Sequence, residues 1–61
     1  APSPESFATD LMADLGLERR PHAASVRERI VFAFERFADE LRVAHTAQIV
    51  DRIAEAAGAV A

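Results

Sequence analysis

The sequence predicts an all-α protein, built as one small domain of three helices with a long central helix. Large apolar residues recur every three or four positions in three separate stretches of the chain. Helix-ending signals, among them Gly16, Pro21 and Gly58, lie between or after these stretches. The length of 61 residues, with no cysteine, limits the chain to a single domain without disulfides or thiolate metal sites.

The first helix is predicted over residues 4–15, after an extended start at residues 1–5 that fits a linker remnant equally well. Ser3 can cap this helix with Pro4 in its first turn, or the helix can begin at Ser6. The apolar stripe consists of Phe7, Leu11, Met12 and Leu15. Gly16 is predicted to end the helix in a left-handed conformation, so that Leu17 folds back onto Leu11 or Met12.

The central helix is predicted over residues 25–44. Ser25 and Glu28 have the spacing of a capping box, in which each side chain accepts a hydrogen bond from a backbone N–H of the first turn. The apolar stripe that follows, widened by Val31 and Ala38, comprises Val26, Ile30, Ala33, Phe34, Phe37, Leu41 and Ala44.

The third helix is predicted over residues 47–58, ending near Gly58. No glycine or proline separates it from the central helix, so one continuous helix is the alternative. A break near His45 and Thr46 is favoured, because the apolar stripe moves about half a turn around the helix axis there. Thr46 can cap the third helix, and His45 can end the second. The later stripe is Ile49, Val50, Ile53, Ala57 and Val60.

The expected core is small. Of the 51% hydrophobic residues, 14 are alanines and only 17 are large. One core of this size rarely supplies more than about 3–5 kcal/mol of stability. We therefore expect the bundle to be completed by dimerisation or by a partner. The residues expected to build the core are Phe7, Leu11, Leu15, Ile30, Phe34, Phe37 and Leu41.

Two apolar residues of the central helix, Phe32 and Val43, fall on its polar face among Glu28, Arg36 and Asp39. Either another helix of the chain wraps round and covers them, or this second face meets another chain. The second interpretation predicts a partner or dimer interface made of Phe32 and Val43 together with Ile30, Phe34, Phe37 and Leu41.

Charge is segregated along the chain, although the net charge is only −3. Residues 18–29 are basic, whereas the segments on either side are acidic. The basic segment is either an ordinary solvated loop and helix start or an electrostatic docking site formed by Arg19, Arg20, Arg27 and Arg29. The acidic balance argues against nucleic acid as a partner.

No residue pattern predicts catalysis, a metal or a cofactor. Carboxylates spaced four apart occur at Asp10 and Asp14, at Glu35 and Asp39, and at Asp51 and Glu55. Arginines within helical reach make these pairs typical of solvated polar faces. His22 and His45 show no ligand spacing, and no serine or threonine has a nucleophile's setting. We expect a non-enzyme.

Three short segments resemble the first two helices of tetracycline-repressor-type DNA-binding domains. They are Arg27-Glu28-Arg29-Ile30, Phe37-Ala38-Asp39-Glu40 and Ile53-Ala54-Glu55-Ala56-Ala57-Gly58. That family places a recognition helix after these two, and the present sequence stops before one. It also lacks the glycine expected between Glu40 and Thr46. The resemblance therefore does not imply sequence-specific DNA readout.

The expected function is a non-catalytic protein–protein interaction module: a dimerisation or docking element, or a small regulatory subunit. Its partner would be a protein, as a homodimer or a larger assembly. The alternative is a small DNA-associated regulator that uses the arginine-bearing loop and helix start. The sequence shows no signal peptide or membrane span, so a cytoplasmic location is expected. Abundant alanine and arginine without lysine or asparagine suggests a bacterial, GC-rich genome.

Overall fold

The computed structural model describes residues 3–44 and 46–59, and within them the chain forms four helices and no strand. The helices are α1 (Pro4–Leu15), α2 (Ala23–Arg36), α3 (Ala38–Val43) and α4 (Ala47–Ala56). The all-α class is confirmed. The predicted count of three is wrong, because the expected central helix consists of two helices, α2 and α3.

Helix α2 lies at the centre of the fold and packs against α1, α4 and α3. The core is formed where α1 and α4 cover α2, and Ile30 of α2 and Ile53 of α4 are fully buried. The phenyl rings of Phe7 and Phe34 meet in this core with their centroids 4.8 Å apart. The other buried residues are Ala8, Leu11, Met12, Leu17, Ala33, Ile49, Ala54 and Ala57.

The predicted ends of α1 are confirmed. The Ser3 hydroxyl accepts a hydrogen bond from the Ser6 N–H at 3.1 Å, and Pro4 is the first helical residue. Gly16 has a φ of 67°, and the Leu17 N–H donates to the Met12 carbonyl at 2.9 Å. This turn brings Leu17 into the core. It leaves Leu15 at the surface, 39% exposed, so the prediction that Leu15 is a core residue is wrong.

Helix α2 begins two residues earlier than predicted, and the capping box is not formed. Its N-cap is His22, which makes no side-chain capping hydrogen bond. The Val26 N–H already donates to the His22 carbonyl at 3.0 Å. Ser25 therefore lies inside the first turn, where its side chain is exposed.

The break between α2 and α3 falls at Phe37, where no glycine or proline is present. Phe37 has φ −102° and ψ 13°, and its N–H is shared between the carbonyls of Ala33 and Phe34. The next turn resumes at once, because the Leu41 N–H donates to the Phe37 carbonyl at 3.0 Å. The break is a bend of one residue, and it leaves Phe37 and Leu41 half-buried against the core.

The second break, before α4, is confirmed. Ala44 is extended, with φ −151° and ψ 136°, and the Thr46 hydroxyl accepts from the Ile49 N–H at 3.4 Å. Helix α4 ends at Ala56, slightly before the predicted residue 58, and Gly58 follows with a φ of 66°. The predictions made for His45 and Val60 lie outside the described residues.

Candidate functional site

Phe32 projects from the outer surface of α2, with 71% of its surface exposed. The residues two positions before and after it point the other way, since Ile30 and Phe34 are both buried. No described part of the chain covers Phe32. The interpretation in which another helix of the chain wraps round this face is therefore wrong for residues 3–44 and 46–59.

The structure separates the six residues predicted for a partner interface. Ile30 and Phe34 belong to the chain's own core, and Phe37 and Leu41 are half-buried against it. Only Phe32 and Val43 are exposed, Val43 by 89%.

Phe32 and Val43 do not share one helix face, because the bend at Phe37 puts Val43 on α3. Phe32 lines a groove with Ala56 of α4. Val43 lines a different depression, with Ile49 and Ala44. Phe32 is therefore the centre of the candidate surface, and Val43 lies apart from it.

Four charged residues surround Phe32 on α2, one turn before it and one turn after it. They are Glu28, Arg29, Glu35 and Arg36, and all four are exposed. At about 100° per residue, the two arginines lie on one flank of Phe32 and the two glutamates on the other. Within the described residues none of the four forms an ion pair.

The groove beside Phe32 shows which way this surface is oriented. It has a volume of about 320 Å³, and both arginines line it together with Glu28, Ala33 and Ala56 of α4. Because Glu35 does not line it, the arginine flank lies nearer to α4 than the glutamate flank does. The charges next to Phe32 can be read from the sequence alone, at the positions three and four residues away. The prediction from the sequence included Glu28 and Arg36 of this set, and it missed the separation of the four charges by sign.

The four arginines predicted for electrostatic docking do not form one patch. Arg27 is half-buried, and its guanidinium donates to the Glu5 carbonyl at 3.3 Å and to the Thr9 hydroxyl at 3.4 Å. It thus holds α1 against α2. Arg20 and Arg29 line a shared cleft of about 350 Å³ with His22, whereas Arg19 is exposed in the loop.

One ion pair joins α3 to α4. The Arg52 guanidinium donates to both carboxylate oxygens of Glu40, at 2.6 and 3.2 Å, and lies 4.8 Å over the ring centre of Phe37. Arg52 of α4 therefore contacts both the bend at Phe37 and helix α3 that follows it. Sequence reasoning missed this contact, because the two charges lie 12 residues apart on different helices.

The predicted carboxylate pairs remain at the surface. Asp39 pairs with Arg42 at 3.1 Å, and both side chains are largely exposed. Asp10, Asp14, Glu35, Asp51 and Glu55 are exposed. In the part of the chain that the structure describes, no three histidine or carboxylate side chains come together as a metal site would require.

No protein-family model, curated protein or solved structure matches this chain. None of the helices in residues 3–44 and 46–59 combines the length and the apolar character needed to cross a membrane.

Proposed function

We propose that this chain is a non-catalytic protein–protein interaction module that docks through the outer face of α2. The observation that carries the proposal is the 71% exposure of Phe32 at the centre of a charged surface. Moving a phenyl ring out of water lowers the free energy, and here no described residue covers the ring.

Phe32 lies outside the core. The core closes between α1, α2 and α4 around Ile30 and Ile53, and Phe32 lies on the opposite side of α2. An aromatic side chain that lies outside the core is well suited to anchor a partner. Aromatic residues at the centre of an interface, with charged residues around them, are frequent binding hot spots.

The surface around Phe32 has the arrangement of a small interface. Its centre is apolar, and its rim consists of Glu28, Arg29, Glu35 and Arg36. Complementary rim charges set the orientation and the specificity of docking more than its affinity. Full burial of Phe32 in a partner would contribute about 1.5–3 kcal/mol.

The alternative, a DNA-associated regulator, has less support. Arg27 is occupied by its contacts with α1, which leaves Arg19, Arg20 and Arg29. Exposed Glu18 and Glu28 lie beside these three arginines in the sequence. Clustered cations are what phosphate binding requires, and these acids oppose it.

Site-specific photo-crosslinking tests the proposal. A photoreactive phenylalanine analogue replaces Phe32 in cells that make this protein, and a matched control carries it at Asp10, which is exposed on α1. We expect crosslinks to a defined protein from position 32 and not from position 10. Mass spectrometry then identifies the product as a second copy or as another protein. Equal crosslinking at both positions, or none at position 32, would refute the proposal.

A further inference from the structure

The four charges around Phe32 form two edges of opposite sign. We call Glu28 and Glu35 the acidic edge and Arg29 and Arg36 the basic edge. Helix geometry places each edge about 40–60° to one side of Phe32. Within each edge, one residue lies a turn before Phe32 and the other a turn after it. Such a pattern can complement itself, and helix direction decides whether it does.

Consider two copies of α2 side by side, with their Phe32 rings in contact. If the helices are parallel, the two-fold axis runs along them and the basic edge of each copy meets the acidic edge of the other. If they are antiparallel and similarly aligned, basic meets basic and acidic meets acidic. Only the parallel arrangement places opposite charges together on both flanks of Phe32.

We propose that the outer face of α2 binds a second copy of this chain, with the two α2 helices parallel and Phe32 at the two-fold axis. Arg29 then pairs with the partner's Glu28, and Arg36 with the partner's Glu35. This inference rests on the proposed function and names the partner for that same surface. Charge complementarity argues for a second copy, because one surface carries both halves of the pattern.

The position of Ser25 fits this arrangement. It lies seven residues before Phe32, so it occupies almost the same side of α2, and it is exposed. A small side chain at that point allows the two helices to approach closely. In the parallel arrangement Ser25 faces the partner's Ser25, whereas antiparallel helices hold these two residues about 20 Å apart.

The interface is limited to the 14 residues of α2, because the chain bends at Phe37. Its length is about 21 Å, with one aromatic ring from each copy. Such a small contact is typical of transient association, so we expect a dimer that dissociates on dilution.

Charge reversal tests the pairing of the edges. The variant Glu28→Arg/Glu35→Arg makes both edges basic, and the variant Arg29→Glu/Arg36→Glu makes both acidic. All four positions are exposed, so both variants should fold as the wild type does. Sedimentation velocity should show a dissociation constant raised about tenfold or more for each variant alone, and a heterodimer when the two are mixed.

A cysteine crosslink tests whether the two helices are parallel. The sequence has no cysteine, so any disulfide must involve the introduced residue. Under mild oxidation, Ser25→Cys should form a disulfide-linked dimer. The same substitution in the Arg29→Glu/Arg36→Glu background should not. Asp10→Cys, on the exposed surface of α1, serves as the control for random collisions.

The outcomes separate this inference from the proposed function. If dimerisation needs Phe32 but ignores charge reversal, or if Ser25→Cys does not crosslink, the parallel arrangement is wrong and the interaction module stands. If the wild type is monomeric up to millimolar concentration, a second copy is not the partner. The interaction module then fails if photo-crosslinking from position 32 also yields no product, or yields no more than photo-crosslinking from position 10.

Discussion

Ile30→Val should destabilise this protein more than the removal of the whole phenyl ring of Phe32. The two residues lie two positions apart on α2, on opposite sides of the helix. Ile30 is 0% exposed between α1 and α4, whereas Phe32 is 71% exposed. The two substitutions together measure how much each face of α2 contributes to the free energy of unfolding.

The magnitude follows from the burial of Ile30. One buried methylene is worth about 0.8 kcal/mol of transfer free energy, and the small cavity that remains adds a few tenths. We therefore expect Ile30→Val to lower the free energy of unfolding by about 1 kcal/mol. That is a large fraction of the about 3–5 kcal/mol that a core of this size supplies. Phe32→Ala should change it by less than about 0.5 kcal/mol, because little of the ring is buried.

Urea and thermal unfolding followed by circular dichroism measure both values. The protein must be dilute, because association would add to the apparent stability of the wild type. In a domain of this size, 1 kcal/mol corresponds to a shift of about 4–8 °C in Tm. The reasoning fails if Phe32→Ala lowers the free energy of unfolding as much as Ile30→Val does, since Phe32 would then contribute to the core of the monomer.

Three further substitutions test local contacts by the free energy of unfolding. Gly16→Ala should cost about 1 kcal/mol, because its φ of 67° is strained for alanine; a neutral result would place the end of α1 elsewhere. Thr46→Ala should cost about 0.5–1 kcal/mol by removing a cap, whereas Ser25→Ala should be neutral. Equal costs would indicate that Ser25 does cap α2 as the capping box predicts. A double-mutant cycle of Arg52→Met and Glu40→Gln should give a coupling of about 0.5–1 kcal/mol that falls at high salt. A coupling near zero would mean that the pair does not hold α3.

The ends of α1 and the start of α4 could be predicted because their signals are local. Ser3, Gly16 and Thr46 act on backbone groups within a few residues, and the structure contains all three contacts. A local signal of the same kind wrongly predicted Ser25 as the N-cap of α2. A turn from Arg20 to Ala23, closed by a hydrogen bond of 3.1 Å, starts α2 before the capping box can form.

The bend at Phe37 could not be predicted, because nothing local demands it. The contacts around it are tertiary: the Arg52 guanidinium lies over the Phe37 ring and pairs with Glu40. The error at Leu15 is of the same kind. Its periodicity is correct, yet the turn at Gly16 brings Leu17 to the core instead. Sequence periodicity identifies a face of a helix, but not where the neighbouring helix stops covering it.

The candidate site could be predicted only as far as helix periodicity within α2 determines it. The exposure of Phe32 follows from its position opposite Ile30 and Phe34, all within one helix. The grouping of Phe32 with Val43 assumed a straight helix and was lost at the bend. Ile30 and Phe34 belong to both the predicted core and the predicted interface, and the structure places them in the core.

The buried alanines show how the core can close without a partner. The small number of large residues led us to expect a core that a partner must complete. However, Ala8, Ala33, Ala54 and Ala57 are all buried, and residues this small let helices approach closely with few large side chains between them. Phe32 is therefore not a core residue left without space; it belongs to a separate surface on the far side of α2. Association through that surface would add to a fold that already has its own core. For this reason, substitutions at Phe32 and its charged edges should change association while leaving folding intact.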